Sequence, residues 1–255
     1  MPPRRPGRRA AASSVAPVAS GYERALRPCI AHTQDTATTK RHFSSGSKRR
    51  PVAVAITGGI GAGKSTALRA FAQHGAAVIS SDEIVHRLLR EDPEVKRAVV
   101  EHFGEEVLGP DGEIDRAKVG RIVFSDRPSL AWLEQLLHPR VVAGYLRWRE
   151  ELAELPDPPA VCVTEVPLLY EVGGDERFDK VVVVTASPEA RVSRRIGPLR
   201  EREQRLLPEE EKIRRADFVY VNDGTLADLD EFVSGVVATL SSAPPGNAHQ
   251  VPDAR

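Results

Sequence analysis

The chain has 255 residues and no net charge, with 41% hydrophobic and 28% charged residues. Its only cysteines, Cys29 and Cys162, exclude a disulfide framework and a zinc site of the usual spacing. No run of about 18 apolar residues is present, so we predict no membrane span. The residues after position 50 suffice for one α/β domain with a helical insertion.

Charge separates the first 50 residues from the rest. Residues 1–50 carry 11 basic and 2 acidic side chains, whereas residues 51–255 carry 25 and 34. An acidic body argues against nucleic acid as the main partner. We expect residues 1–50 to be a disordered basic extension of a cytoplasmic protein. A mitochondrial targeting peptide is the alternative, because the segment is rich in arginine and poor in acidic residues.

The first structural signal is a glycine-rich segment between a strand and a helix. Residues 58–65 read Gly-Gly-Ile-Gly-Ala-Gly-Lys-Ser, the G-x-x-x-x-G-K-[ST] pattern of phosphate-binding loops. An apolar run, Val52–Thr57, precedes it, and a helical stretch over residues 66–74 follows. The plain alternative is a glycine-rich turn without a ligand. The pattern favours ATP phosphates bound by Gly59, Gly61, Ala62, Gly63, Lys64, Ser65 and Thr66.

Strands and helices alternate through the rest of residues 51–242. Short apolar runs predict five strands, at residues 52–57, 76–80, 160–166, 180–185 and 218–221. This alternation indicates an α/β fold of the P-loop NTPase type, with a doubly wound, parallel, five-stranded sheet. We expect the tail, residues 243–255, to be disordered.

A long helical insertion is predicted at residues 83–153, between the second and third strands. Asp92 and Asp115 are predicted helix caps, and Gly104 is a predicted helix end. Apolar residues lie at helical spacing on both sides of His138-Pro139. The insertion is either the binding site of a phosphate acceptor or simple helical padding.

An ordered set of motifs resembles the dephospho-coenzyme A kinase family over roughly residues 52–240. The motifs are the loop from Thr57 to Thr66, the Val-Ile-Ser-Ser-Asp segment ending at Asp82, Leu137-His138-Pro139, the Val-Pro-Leu-Leu-Tyr-Glu block at 166–171, Ser187-Pro188-Glu189, Glu211-Lys212 with Ala216-Asp217, and Asn222-Asp223-Gly224. The resemblance implies transfer of a phosphoryl group from ATP, with Mg²⁺, to the ribose 3′-hydroxyl of dephospho-coenzyme A. It also implies a nucleotide core, an acceptor-binding insertion and a lid at residues 188–207.

The resemblance assigns roles to several carboxylates. Asp82 would meet the acceptor hydroxyl as the catalytic carboxylate, and its alternative role is a helix N-cap. The family has a second aspartate where this chain has Ser80. Glu165 would hold Mg²⁺ through water, together with Ser65. Glu165 and Glu171 are each equally compatible with a solvated loop carboxylate.

Three further positions follow from the resemblance. His138 would bind the acceptor substrate, or it is a polar residue at a helix junction. Asn222 and Gly224 would line the adenine, although Asn-Asp-Gly is also an ordinary turn.

The lid segment is shorter than in the family but rich in arginine. Arg194 corresponds to a lid arginine and is expected to be catalytic, with Arg200 as its helper and Arg191 contributing least. The alternative is a solvated basic helix.

The leading hypothesis is therefore an ATP-dependent dephospho-coenzyme A kinase, a monomer or weak homo-oligomer, acting in the last step of coenzyme A synthesis. The alternatives are another P-loop kinase of small molecules, or a nucleotide-binding regulator without turnover. A GTPase lacks support because no Asn-Lys-x-Asp motif follows the later strands.

Overall fold

A parallel sheet with helices on both faces forms the body of the protein. The computed structural model describes residues 50–194 and 207–242. The five strands in this part of the chain are β1 (Val52–Thr57), β2 (Ala77–Ser80), β3 (Val161–Glu165), β4 (Lys180–Thr185) and β5 (Phe218–Val221). They lie in the order β2-β3-β1-β4-β5, and every neighbouring pair is parallel. The predicted doubly wound parallel sheet is confirmed.

The helices follow the strands in the predicted alternation. They are α1 (Lys64–Gln73), α2 (Ser81–Glu91), α3 (Pro93–Phe103), α4 (Arg116–Ser125), α5 (Arg127–Ala153), α6 (Pro188–Ser193), α7 (Glu209–Arg215) and α8 (Leu226–Ser242). Single turns of 3₁₀-helix lie at Glu105–Val107 and Asp175–Arg177. No helix in the described ranges is long and apolar enough to cross a membrane.

Strand β1 carries side chains to two different cores, as expected for a sheet covered on both faces. Val54 and Ile56 of β1 pack with α1 and α8, whereas Ala55 packs with Leu169 and Tyr170 on the opposite face. A third cluster joins α2 to α5 within the insertion. The sheet is therefore a rigid platform, and the loops at its carboxyl edge carry the polar residues of interest.

The structure confirms the two predicted helix caps of the insertion but not the predicted helix junction. Asp92 accepts hydrogen bonds from the backbone N–H groups of Glu94 and Val95, and Asp115 caps α4 in the same way. The two predicted caps are therefore confirmed. The idea of a helix junction at His138-Pro139 is wrong, because Pro139 lies inside the continuous helix α5.

Several predictions fall on residues outside the described ranges. These are the basic extension up to residue 49, the tail at 243–255, and most of the lid segment, including Arg200. Only its flanks, residues 188–194 and 207, are described.

Gly58 joins β1 to the phosphate loop in a conformation that admits no side chain. Its φ is +143°, and a Cβ atom would lie 1.9 Å from the carbonyl oxygen of Val184 on β4. The loop therefore crosses the neighbouring strand at backbone contact distance.

We predict that Gly58→Ala destabilises the fold much more than Gly75→Ala. Gly75 also has a positive φ, +84°, but a Cβ there would meet nothing within 4 Å. The control should cost about 1–2 kcal/mol from backbone strain alone, and the added clash should make Gly58→Ala clearly worse. Urea unfolding measures both, and equal costs would contradict the close fit at Gly58.

Candidate active site

The glycine loop forms a compact turn at the carboxyl end of β1. Gly61 and Gly63 have positive φ values of +76° and +98°, which only glycine adopts readily. Gly63 is the N-cap of α1, so the helix begins at Lys64, two residues earlier than predicted. Lys64 and Ser65 thus stand in the first helical turn, where backbone N–H groups and the helix dipole favour an anion.

Lys64 folds back over its own loop. Its Nζ donates hydrogen bonds to the carbonyl oxygens of Gly58 (3.1 Å) and Gly59 (2.9 Å). Burial lowers the pKa of Lys64, while the negative charges of Glu165 and Asp82 oppose that shift. These contacts show that a cation and two carboxylates share one electrostatic environment beside the loop.

Ser65 and Glu165 are brought together by helix α1 and strand β3. The Ser65 hydroxyl lies 3.3 Å from Oε2 of Glu165 and 3.5 Å from Oε1. Glu165 is buried, and burial raises its pKa, while Lys64 and the Ser65 hydrogen bond lower it. A hydroxyl beside a single carboxylate is the type of oxygen-ligand pair that holds Mg²⁺ together with substrate phosphates. Within residues 50–194 and 207–242, no group of three or more His, Cys, Asp or Glu side chains could hold a metal by itself.

Asp82 is not the N-cap of helix α2, which was its alternative role. Ser80 is the N-cap of α2: its hydroxyl accepts from the N–H of Asp82, and Glu83 accepts from the N–H of Ser80. The N-cap interpretation of Asp82 is therefore wrong. Asp82 is exposed in the first turn of α2, on the same edge of the sheet as Glu165. Ser80 caps the N-terminus of α2.

Asn222 links the end of β5 to the phosphate loop. Its side-chain amide donates a hydrogen bond to the backbone carbonyl oxygen of Ala62 at 2.8 Å. The backbone carbonyl oxygen of Asn222 accepts a hydrogen bond from the guanidinium of Arg194 at 3.0 Å. A Cβ on Gly63 would lie 2.2 Å from the Asn222 amide nitrogen, so this contact also requires glycine. Asn222 is thus more than a turn residue, while the neighbouring Gly224 packs against Asp228.

Comparison with known proteins identifies the family. The model of the dephospho-CoA kinase family (CoaE) matches residues 52–228. The chain belongs to the dephospho-CoA kinase family. The dephospho-CoA kinase of Streptomyces avermitilis is 42% identical over 195 residues, covering 73% of this chain and 93% of that protein. The dephospho-CoA kinase of Chlorobaculum tepidum is 35% identical over 202 residues, covering 75% of this chain and 96% of that protein.

Solved structures agree with this assignment. The crystal structure of TT1252 from Thermus thermophilus is 36% identical, with a TM-score of 0.59 over 75% of this chain and 99% of that chain. The dephospho-CoA kinase from Campylobacter jejuni is 26% identical, with a TM-score of 0.54 over 76% of this chain and 100% of that chain. The family relationship thus spans the sheet, the loop and the insertion.

Two positions assigned from the family resemblance are placed less directly. His138 is exposed on α5 within the insertion, and its role toward the acceptor stays a prediction. Arg194 is the C-cap residue of α6, and its described hydrogen bond is the one to Asn222. Its part in phosphoryl transfer also stays a prediction.

The sequence reasoning missed a buried ion pair. Lys212 of α7 is 2% exposed, and its Nζ lies 2.6 Å from Oε1 of Glu171. The same carboxylate oxygen accepts from the backbone N–H of Leu207, so the solvated-loop interpretation of Glu171 is wrong. Lys212 also lowers the pKa of Lys64, which places its charge within reach of the phosphate loop. The Glu211-Lys212 motif drew attention to this helix but not to its burial.

We predict that Lys212→Met destabilises the protein by roughly 3–5 kcal/mol, because Glu171 would remain buried without its cation. Lys180→Met is the matched control: Lys180 pairs with Asp217 at 2.7 Å, but its side chain is 43% exposed. The control should cost about 1 kcal/mol or less. Denaturant unfolding compares the two, and adding Glu171→Leu to Lys212→Met should restore much of the loss. Equal costs for Lys212→Met and Lys180→Met would show that burial adds nothing to the pair.

Proposed function

We propose that the protein transfers the γ-phosphoryl group of ATP to the ribose 3′-hydroxyl of dephospho-CoA, the reaction that completes coenzyme A. The observation that carries this proposal is the family match over residues 52–228, which includes the phosphate loop and the adjacent carboxylates. ATP is the phosphoryl donor that a kinase of this family uses. The helices α2–α5 would bind the acceptor, and the segment 188–207 would act as a lid.

Phosphoryl transfer requires positioning and neutralisation of charge more than covalent chemistry. The backbone N–H groups of the loop and the first turn of α1 would bind the phosphates. Lys64 would exchange its contacts with the carbonyls of Gly58 and Gly59 for phosphate oxygens. Its positive charge would then offset the charge that develops on the leaving ADP.

The acceptor hydroxyl would be oriented by Asp82 alone. Ser80 is committed to the helix cap and supplies no charge. Asp82 is an exposed carboxylate in the first turn of α2, at the same edge of the sheet as Glu165, so it can accept a hydrogen bond from the ribose hydroxyl. Asn222 and Gly224 would face the adenine, and Arg194 would add a donor fork on the phosphates in transit.

Ser65 and Glu165 would hold Mg²⁺, with Glu165 acting through water. The ion, when bound, neutralises charge on the β- and γ-phosphates. Two observations support a Mg²⁺ site here: the hydroxyl of Ser65 lies 3.3 Å from the carboxylate of Glu165, and Glu165 is buried.

We further propose a cytoplasmic location and a monomer or weak homo-oligomer with no nucleic-acid partner. The lack of a disulfide framework in a sequence with only two cysteines supports a reducing compartment.

The direct test of the function is ADP release from ATP in the presence of different acceptors. Dephospho-CoA should support turnover, whereas adenosine 5′-monophosphate, with the same ribose hydroxyls but no pantetheine arm, should not. Phosphorus NMR of the product should place the new phosphate on the 3′-oxygen. Turnover with another acceptor alone would indicate a different small-molecule kinase, and ATP binding without turnover would indicate a regulator.

We predict that Asp82→Asn lowers kcat by ~10²-fold or more with little change in melting temperature. The amide keeps the size of the side chain but removes its charge. Ser80→Ala is the matched control, since loss of the cap should cost about 1 kcal/mol of stability and leave most of kcat. Steady-state kinetics and thermal unfolding of both variants decide the matter. A lower melting temperature with a nearly unchanged kcat in Asp82→Asn would indicate that Asp82 has a structural role.

We predict that Glu165→Gln raises the Mg²⁺ concentration needed for half-maximal activity by roughly 10–100-fold. The amide still accepts from Ser65 but carries no charge. In the metal-free protein, burial raises the pKa of Glu165 above the ordinary 4.5, so a proton competes with Mg²⁺ for this carboxylate and the Mg²⁺ requirement of the parent should rise as the pH falls. The charge is thus lost as the pH falls through the raised pKa. An unchanged Mg²⁺ requirement in Glu165→Gln would remove Glu165 from the metal site.

A further inference from the structure

Arg191 lies against the phosphate loop although it is outside the loop motif. A Cβ atom on Gly59 would lie 2.8 Å from Nη1 of Arg191, and one on Gly61 would lie 3.0 Å from its carbonyl oxygen. The first half of the loop is therefore fitted against α6. This contact was not expected, since Arg191 was predicted to contribute least among the arginines of its segment.

Glu209 fixes the guanidinium in this place. Oε2 of Glu209, the first residue of α7, lies 3.1 Å from Nη1 of Arg191, with the two side chains 21% and 23% exposed. Nε of Arg191 and Oε1 of Glu209 are buried and have no hydrogen-bond partner within residues 50–194 and 207–242. The pair is thus largely removed from water, whereas Arg214, which pairs with Glu211 on the same helix α7, has a side chain that is 75% exposed. Ion pairs with little access to solvent are screened weakly and hold their geometry.

We propose that Arg191 and Glu209 form a positioning pair, which holds Gly59–Gly61 in the shape that binds ATP. A glycine-rich loop samples many backbone conformations, and ordering it on binding costs free energy. A guanidinium packed on Gly59 and anchored by Glu209 restricts the loop beforehand, so less ordering remains when ATP arrives. The inference rests on the proposed use of this loop for ATP.

The pair acts as a unit, so its two residues should behave alike. Arg191→Gln and Glu209→Gln should each weaken ATP binding by about tenfold, and the double variant should be no weaker than either single variant. KM for dephospho-CoA and kcat should change by less than about twofold, because the acceptor and Asp82 are not involved. Arg191→Lys, which keeps the charge, should recover part of the affinity.

The experiment is calorimetric titration of each variant with ATP and no acceptor, followed by kinetics. The control is Arg215→Gln, because Arg215 pairs with Asp175 at 2.8 Å from the same helix α7. That control should bind ATP as the parent does. Since the titration needs no turnover, it tests the inference even if dephospho-CoA proves not to be the acceptor.

Three results would overturn the inference. One is an ATP affinity unchanged in both single variants. Another is an opposite effect, with Arg191→Gln weaker and Glu209→Gln tighter than the parent, which would mean that Arg191 binds ATP as a bare charge and Glu209 only restrains it. Weakening of the Arg215→Gln control to the same degree would likewise show a general effect of α7 rather than a role of this pair.

Discussion

The backbone contact between the phosphate loop and strand β4 is the constraint on which the site depends. Gly58 approaches the carbonyl of Val184 so closely that no Cβ fits, and this contact fixes where the chain leaves β1. The turn that follows starts α1 at Lys64, and the direction of α1 carries Ser65 to Glu165 on β3. Strands β4 and β3, on opposite sides of β1, therefore define the position of the loop and of the carboxylate that faces Ser65. The sheet order, rather than the glycine motif alone, produces this meeting.

The charged side chains around the phosphate loop favour the binding of an anion there. Burial lowers the pKa of Lys64, the positive charge of Lys212 lowers it further, and the negative charges of Glu165 and Asp82 oppose this shift. Glu171 pairs with Lys212 directly, whereas Lys64 contacts only backbone carbonyl oxygens among its described hydrogen bonds and is available to a phosphate. Such a site tolerates little rearrangement, since each unpaired buried charge is costly. Ser80 caps α2 with a neutral hydroxyl, and the carboxylate of Glu83 completes the capping box beside Asp82.

The strands and the phosphate loop could be predicted from the sequence because their signals are local: continuous apolar runs and a fixed glycine spacing. Interactions between distant parts of the chain could not, and neither could the choice between competing local conformations. Pro139 lies within a helix because burial of the residues around it outweighs the loss of one backbone hydrogen bond. Ser80 and Asp82 compete for one cap, and only the backbone geometry shows which side chain takes it. Glu171 reads as a loop carboxylate until the fold brings Lys212 to it.

The central claim is that Lys64 in this loop supplies the charge for phosphoryl transfer to dephospho-CoA. The most direct measurement is the single-turnover rate with ATP and dephospho-CoA for the parent and for Lys64→Ala, with circular dichroism to establish that both are folded. The account predicts that the parent forms coenzyme A and that the folded variant is almost inactive, losing the chemical step more than ATP binding. A folded Lys64→Ala protein that transfers the phosphoryl group at nearly the parental rate would contradict the account.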